Sequence, residues 1–471
     1  MDFRDKDATG WAEAVARREV SPIDLLQAAL DRVAEVNPRL NSVVLMQEQV
    51  ARQSLATLPR GPFHGVPFLL KDLGCEAVDF PSFNGTRLYG QTRYPANSAI
   101  FDRIAATGVV TFGRTTSPEG GIGAATEAAV YGGPTRNPWD LGRTSGGSSG
   151  GAAAAVASGI VPFAHGSDGG GSVRIPASSC GLFGFKPTRA RLPDGPFSGE
   201  GWAGMAIDGF LTWSVRDTAR MLDACMGPDL GAPYVAPALA RSHADAISRP
   251  PRRLRVGVVD TTFTGAPIDP GVAGQVRDAA ALAESLGHHV TQHQVKADVA
   301  MMMRAWTDIV AVGTALSVRS GLKGRDLGPD LVEGVSRGAV AHAESLSPLR
   351  YLQAVGEIHA FGRQMAAEFA GIDILLSATL AEPPAQVGRF SHDTEDYVAY
   401  RTGDKGIFAY SPFCAIFNAS GQPAASVPLG MVGGLPVGIH VAAPFGQDEE
   451  LIAFCAELEL AAPWAGRKPG I

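Results

Sequence analysis

Short apolar runs alternate with amphipathic segments along most of the chain. Apolar runs of four to eight residues are typical of buried strands, and apolar positions at helical spacing are typical of helices. Strands are predicted at residues 65–70, 109–112, 160–164, 254–259, 374–377, 424–429 and 436–441. Two helices are predicted near the N-terminus, one after residue 172, and others at 98–106, 149–158, 273–286 and 347–370. This alternation predicts an α/β fold whose sheet is covered by helices on both faces.

Turn and capping residues support these boundaries. Ser21-Pro22 has the pattern of a helix N-cap followed by proline in the first turn, and Gly433-Gly434 predicts a turn between two strands. Residues 227–252 are rich in proline and alanine without a clear period, which predicts a crossover on the surface.

Composition narrows the class of protein. The 471 residues are 45% hydrophobic and 18% charged, as in soluble globular proteins, and the net charge of −7 argues against nucleic acid or an anionic membrane as the main partner. No signal peptide and no apolar run of bilayer length were identified. Five scattered cysteines without a C-x-x-C motif predict free thiols in a cytoplasmic protein.

Two glycine-rich loops carry serines 24 residues apart. Ser172 follows Gly169, Gly170 and Gly171, which lack Cβ atoms, so that several backbone N–H groups can point toward one atom. This arrangement predicts a nucleophile beside its own oxyanion hole. The alternatives are an anion-binding nest and a flexible turn before a helix.

Lys71 and Ser148 are the candidates for activating Ser172. Lys71 ends an apolar run, where burial would favour the neutral amine that a base requires. Ser148 lies between glycine pairs and can pass a proton from one partner to another. The structural alternatives are a lysine that reaches water beside Asp72, and a serine that caps the following helix.

Other motifs in the sequence offer alternatives to this interpretation. Gly146-Gly147-Ser148-Ser149-Gly150 fits the nucleophile elbow of α/β-hydrolases, with His440 available as a base, but the elbow requires a preceding strand and none is predicted. His288, His289 and His293 are expected to be solvated on a surface strand rather than to bind a metal. No motif for a metal or cofactor was found.

Several blocks together resemble the amidase signature family. They are residues 64–72 (HGVPFLLKD), 135–140 (TRNPWD), 146–151 (GGSSGG), 166–176 (GSDGGGSVRIP), 184–188 (GFKPT), 417–424 (FNASGQPA) and 434–438 (GLPVG). The resemblance implies one compact α/β domain over residues 1–471 with a mixed, twisted sheet flanked by helices on both faces. It implies a catalytic core at about 60–190 and a variable substrate-pocket region at about 190–410.

The resemblance also implies roles for individual residues. Ser172 would be the nucleophile, Ser148 the bridging serine after a cis peptide bond from Gly147, and Lys71 the base. The backbone N–H groups of residues 169–172 would form the oxyanion hole. The residues that hold the loops in place would be Asp168, Ser149 and Arg174. No cofactor and no metal is implied.

Within the family, the pattern is similar to the 6-aminohexanoate cyclic dimer hydrolase group, through GPTRNPWDLGR before the serine loop, SVRIPAS at Ser172, and Pro463-Trp464. This implies a hydrolase of secondary amides such as anilides, lactams or oligoamides, with carbamates and esters as further candidates. The expected partner is a small-molecule amide, and a homodimer is left open. Gly169 replaces the family's usual Thr, Ile or Ala, which is expected to open space above the oxyanion hole.

Two other functions stay open. One is the A subunit of a tRNA-dependent glutamine amidotransferase, although that subunit usually has Gln where Ile175 stands. The other is a non-catalytic protein that binds anions in its glycine loops. Candidate pocket walls are residues 80–94, 121–131, 301–306 and 413–417.

Overall fold

Eleven of the thirteen strands form one mixed sheet in the computed structural model, which describes residues 1–471. Its order is β1-β3-β2-β6-β8-β7-β12-β13-β11-β9-β10, and β4 and β5 form a separate hairpin. The strands are β1 Val43–Met46, β2 Pro67–Lys71, β3 Val110–Thr115, β4 Arg136–Asn137, β5 Asp140–Thr144, β6 Phe163–Asp168, β7 Phe183–Lys186, β8 Ile207–Thr212, β9 Arg255–Val258, β10 His289–Gln292, β11 Ile374–Ala378, β12 Ala424–Val432 and β13 Leu435–Ala442.

Sixteen α-helices flank the sheet, and two short 3₁₀ turns lie at Glu119–Gly121 and Ala129–Tyr131. The helices are α1 Ala8–Ala16, α2 Pro22–Leu40, α3 Glu48–Ser54, α4 Ala99–Ala106, α5 Gly150–Ala157, α6 Arg174–Cys180, α7 Val215–Cys225, α8 His243–Ala246, α9 Pro270–Ser285, α10 Val299–Leu322, α11 Gly334–Ser345, α12 Pro348–Glu368, α13 Tyr397–Thr402, α14 Ile407–Tyr410, α15 Cys414–Ser420 and α16 Asp448–Ala461.

The centre of the sheet positions the serine loops. Strands β2 and β6 are parallel neighbours, with Leu69 opposite Ala164. Because the carboxyl ends of parallel strands meet at one edge, Lys71 at the end of β2 and Asp168 at the end of β6 lie near each other. Every residue of β2 is buried, as expected for a strand covered on both faces.

The predicted α/β fold with a large mixed sheet and flanking helices is confirmed. Ser21 caps α2 through a reciprocal bond with Asp24, as the Ser-Pro pattern indicated. The strand predicted at 160–164 instead begins at Phe163 and continues to Asp168. Its last residues, His165 to Asp168, are mostly polar, so the apolar pattern did not indicate that the strand continues through them. They are nevertheless nearly all buried.

The sequence analysis identified no apolar run of bilayer length, whereas one helix of the structure, α10, is long and apolar enough for such a segment. By length and composition α10 could cross a bilayer, but 56% of its apolar stretch is buried inside the protein. The core helix of a soluble protein gives the same pattern. The five cysteines are buried and free, as predicted.

Candidate active site

Lys71 points into the protein and contacts two serines. Its Nζ lies 2.7 Å from Ser148 Oγ and 2.9 Å from Ser167 Oγ, and the side chain has no exposed surface. Burial lowers the pKa of Lys71 to about 7, against the opposing effect of the Asp208 and Asp168 charges. The neighbouring Asp72 takes no part in this, since it accepts from the Phe83 N–H and the Tyr131 hydroxyl. The lysine is therefore not one that reaches water.

Ser148 lies in a tight loop before α5. The Gly147–Ser148 peptide bond is cis, as the family resemblance implied. The neighbouring Ser149 donates its N–H to the Ser172 carbonyl at 3.2 Å, and its hydroxyl bridges the backbone of Ser167 at 3.3 Å. Ser149 does not cap α5 with its side chain. These bonds join the two serine loops.

The glycine loop presents Ser172 between β6 and α6. The Gly171 N–H donates to Asp168 Oδ1 at 2.7 Å, so it is already used. The N–H groups of Gly169, Gly170 and Ser172 have no partner inside the protein. The Ser172 hydroxyl faces the same cavity as Ser148, but no hydrogen bond joins the two hydroxyls. This leaves Ser172 beside three free donors.

A buried ion pair holds the glycine loop. Arg174 donates through Nε and Nη2 to both oxygens of Asp168, at 3.0 and 2.9 Å, and both side chains are fully buried. Burial alone would raise the pKa of Asp168, but the charge and hydrogen bonds of Arg174 hold it well below its usual range. The Asn418 amide donates to Asp168 Oδ1 and to its carbonyl, both at 2.9 Å. The carboxylate therefore stays ionised and fixes the loop.

Comparisons with known proteins identify the family of the chain. The Amidase family model matches residues 24–452. The chain belongs to the amidase family. It is 38% identical to the 6-aminohexanoate-cyclic-dimer hydrolase of Paenarthrobacter ureafaciens, over 98% of this chain and 96% of the relative. It is 33% identical to the acylamidase of Rhodococcus erythropolis, again over 98% and 96%.

Solved structures give the same result for the fold. The structure of 6-aminohexanoate cyclic dimer hydrolase has a TM-score of 0.92 at 36% identity and covers 100% of this chain and 99% of that one. A bacterial aryl acylamidase has a TM-score of 0.88 at 28% identity, over 98% and 97%. The present amidase is thus a hydrolase of carbon–nitrogen bonds other than peptide bonds, as predicted.

His440 of this amidase does not lie beside the serines. Its Nε2 is 2.9 Å from Arg174 Nη1 and therefore accepts, while burial and the Arg174 charge hold its pKa well below the ordinary value. The expectation that no strand precedes Ser148 was wrong, because β5 (Asp140–Thr144) ends shortly before it and Ser145 to Gly147 lead from the strand to Ser148. This strand belongs to the separate β4–β5 hairpin and not to the main sheet, and His440 contacts Arg174, so the arrangement differs from a nucleophile elbow. Of the other histidines, His288 is buried and contacts Glu457, so the expectation that it is solvated was wrong.

The expected open space above Gly169 is filled. A Cβ built on Gly169 would lie 2.5 Å from a ring carbon of Trp202. The glycine therefore allows an indole ring to cover the loop of residues 169–171, and the expected room for a bulkier acyl group is filled by Trp202. Trp202 packs edge-to-face on Trp306, whose Nε1 donates to the Gly169 carbonyl.

A cavity of about 600 Å³ opens over the serines of the amidase. Residues 84–94 line it, as expected, whereas α10 contributes Gly313 to Val318 in place of the predicted methionines. Residues 413–417 belong to the core instead. Four carboxylates line the cavity and no lysine or arginine does: Glu76, Glu119, Asp194 and Asp208.

Three polar residues near the triad candidates were not singled out from the sequence. Ser167 contacts Lys71, Asn418 holds Asp168, and His165 accepts from the Lys71 N–H through Nδ1 at 3.3 Å. His165 Nε2 consequently carries the proton and donates to Asp208 at 3.0 Å. Ser167 and Asn418 lie inside the family-like blocks, which was the available signal.

Proposed function

We propose that this amidase hydrolyses non-peptide secondary amides through Ser172, Ser148 and Lys71, by way of an acyl-enzyme. The substrates would be anilides, lactams or oligoamides, with carbamates and esters as secondary candidates. One observation carries the proposal: a fully buried Lys71, with a pKa of about 7, lies 2.7 Å from Ser148 Oγ beside the cavity that holds Ser172. A lysine in this state can accept a proton near neutral pH.

Acylation begins with neutral Lys71. Its Nζ takes the proton of Ser148 as Ser148 Oγ takes the proton of Ser172, and Ser172 Oγ bonds to the substrate carbonyl carbon. No hydrogen bond joins the hydroxyls of the two serines in the free protein, so this step includes a rotation of Ser172 toward Ser148 when substrate binds. When the carbon–nitrogen bond breaks, the proton returns through Ser148 to the leaving nitrogen.

Deacylation uses the same residues in reverse. A water molecule loses a proton to Lys71 through Ser148 and attacks the ester carbonyl; the bond from Ser172 Oγ to carbon breaks, and the proton goes back to Ser172. In both steps the oxyanion would accept from the N–H groups of Gly169, Gly170 and Ser172. The Gly171 N–H would serve indirectly, by tying the loop to Asp168.

The cavity supports neutral or cationic substrates. Its lining has four acidic side chains and no basic one; burial raises the pKa of Glu76, Glu119 and Asp194, and those side chains that are ionised would repel a substrate carboxylate. The relatives named above are a 6-aminohexanoate-cyclic-dimer hydrolase and an acylamidase, which agrees with amide substrates. The proposal includes a cytoplasmic enzyme, with which the five free thiols agree.

The test is release of p-nitroaniline from a neutral acyl-p-nitroanilide. We expect wild-type turnover, a loss of at least a thousandfold in Ser172→Ala, and no change in the matched control Ser285→Ala, whose serine caps the end of α9 and lies outside the cavity. Residual turnover in Ser172→Ala above a hundredth of wild type would refute the nucleophile. Ammonia release from glutamine without anilide cleavage would favour an amidotransferase subunit instead.

A further inference from the structure

A second, smaller cavity begins at the nucleophile. It shares Gly121, Ser172 and Trp202 with the main cavity and has a volume of about 20 Å³. Its remaining walls include Gly170 of the glycine loop and the side chains of Arg401 and Ser411. A volume of this size accommodates about one water-sized group.

Three polar atoms at this cavity lack partners. Arg401 Nε, Arg401 Nη2 and Ser411 Oγ are buried and make no hydrogen bond within the protein. The two residues are only 3% and 1% exposed, respectively. Buried donors without an acceptor are rare in folded proteins, because each has lost its water without replacement. An acceptor in this cavity would satisfy them.

Aromatic rings hold the guanidinium in place. Its central carbon lies 5.1 Å from the Trp306 ring centre, 5.3 Å from that of Tyr397 and 5.5 Å from that of Tyr400. These contacts stabilise the charge through the ring faces, and the Tyr397 hydroxyl interacts with the guanidinium, but Nε and Nη2 keep no partner. The Glu333 carboxylate is close enough to raise the pKa of Tyr400, but it pairs with His392 and not with Arg401. The Arg401 guanidinium is therefore enclosed by aromatic rings, with Nε and Nη2 free to donate.

The side of the scissile bond follows from the proton path. In the proposed function, the leaving nitrogen receives its proton from Ser148, and Ser148 lines the main cavity but not the small one. The leaving amine would accordingly occupy the main cavity. The acyl part of the substrate would extend past Ser172 toward Arg401.

We propose that the small cavity is a subsite for one hydrogen-bond-accepting oxygen on the acyl part of the substrate, bound by Arg401 and Ser411. This inference rests on the proposed function. It defines the substrate class further: an acyl group that carries a second carbonyl or a comparable oxygen a few bonds from the scissile amide. A purely aliphatic acyl group would leave the donors unsatisfied or retain a water molecule there.

A matched substrate series tests the subsite. The substrates are the p-nitroanilides of hexanoic, 4-oxohexanoic and 5-oxohexanoic acid, which differ only in the ketone. For wild type, we expect kcat/KM for at least one ketone to exceed that for hexanoyl by about tenfold, the effect of a hydrogen bond to a charged donor. Arg401→Met should abolish the preference and Ser411→Ala should reduce it severalfold. Arg389→Met is the matched control, because Arg389 also stacks on rings, those of Phe390 and Tyr410, but lies outside both cavities.

Binding to the Ser172→Ala protein provides a measurement that does not need turnover. Calorimetry with the same three anilides should show about tenfold tighter binding of a ketone than of the hexanoyl compound, and the added Ser411→Ala substitution should narrow the difference. Equal affinities for all three would overturn the subsite. Cleavage of the hexanoyl anilide by wild type with no ketone preference would overturn the subsite and leave the proposed function standing. Ketone-selective binding without any turnover would overturn the proposed function and leave the subsite standing.

Discussion

The pH dependence of turnover tests Lys71 as the base. Only the neutral amine can accept a proton, so kcat/KM should follow the neutral fraction of a group whose pKa is about 7. We expect a plateau above pH 8, a fall of about tenfold per pH unit below pH 7, and a rate near a hundredth of the plateau at pH 5. The assay is anilide hydrolysis between pH 4.5 and 9, with recovery of activity at pH 8 as the check for unfolding. A flat profile down to pH 5 would refute the lysine base.

Asp208→Asn should shift the acid limb, the fall of kcat/KM below pH 7, to lower pH. The Asp208 carboxylate raises the pKa of Lys71, so its neutral replacement lets the pKa fall further. The asparagine side chain can still accept from His165 Nε2, which keeps the local structure. The limb should therefore shift to lower pH, and the variant should keep more of its plateau activity at pH 5.5 than wild type does. A shift to higher pH would contradict the reasoning.

Asp194 and Lys186 are among the other groups whose pKa lies in the same range, and they serve as controls. Burial and the charge of Asp208 raise the pKa of Asp194, in the cavity wall, to about 7. Burial lowers the pKa of Lys186, whose Nζ donates to the Pro187 carbonyl, also to about 7. If Lys71 is the titrating base, Asp194→Asn and Lys186→Met should each retain an acid limb of the same slope. Loss of the limb in either variant would assign it to that residue.

Two further predictions concern the glycine loop. Gly169→Ala would place a Cβ 2.5 Å from the Trp202 ring, so kcat/KM for an anilide should fall at least tenfold, about 1.4 kcal/mol of transition-state stabilisation. In a Trp202→Ala background, the same Gly169→Ala substitution should reduce kcat/KM less than it does in wild type. An equal reduction in both backgrounds would show that Trp202 is not the obstacle. Arg174→Met should lower the free energy of unfolding in urea by about 3–5 kcal/mol, because it leaves Asp168 charged and buried without its partner. Arg216→Met, which breaks the half-exposed pair with Asp7, should cost about 1 kcal/mol or less, and equal losses in the two variants would contradict a structural role for the buried pair.

Much of the candidate site could be predicted from the sequence because its residues lie in short, contiguous motifs. The sequence alone shows the glycines 169–171 before Ser172 and the glycine pairs around Ser148. It also shows a lysine at the end of an apolar run. The residues that hold this site were harder to find. Asn418 lies 250 positions from Asp168, its hydrogen-bond partner. Nothing in the pattern around Asn418 indicates that contact.

The sequence also misjudged features that depend on which side chain comes to lie above which backbone. A third glycine was expected to leave space, whereas Trp202 folds over it from another loop. The methionines of α10 were candidates for the pocket wall, but the helix presents Gly313 to Val318 to the cavity. Helical periodicity gives the relative positions of side chains around an axis, and tertiary packing decides which of them face the cavity.

The sequence by itself determined the α/β class, the family resemblance and the identity of the candidate serines and lysine, because strand and helix periodicity and short motifs are local properties. Tertiary structure alone decided the order of the eleven strands, the burial that brings the pKa of Lys71 to about 7, and the meeting of Arg401 and Ser411 beside Ser172. These properties arise from contacts between residues far apart in the chain. Desolvation and unsatisfied donors exist only once such residues are packed together.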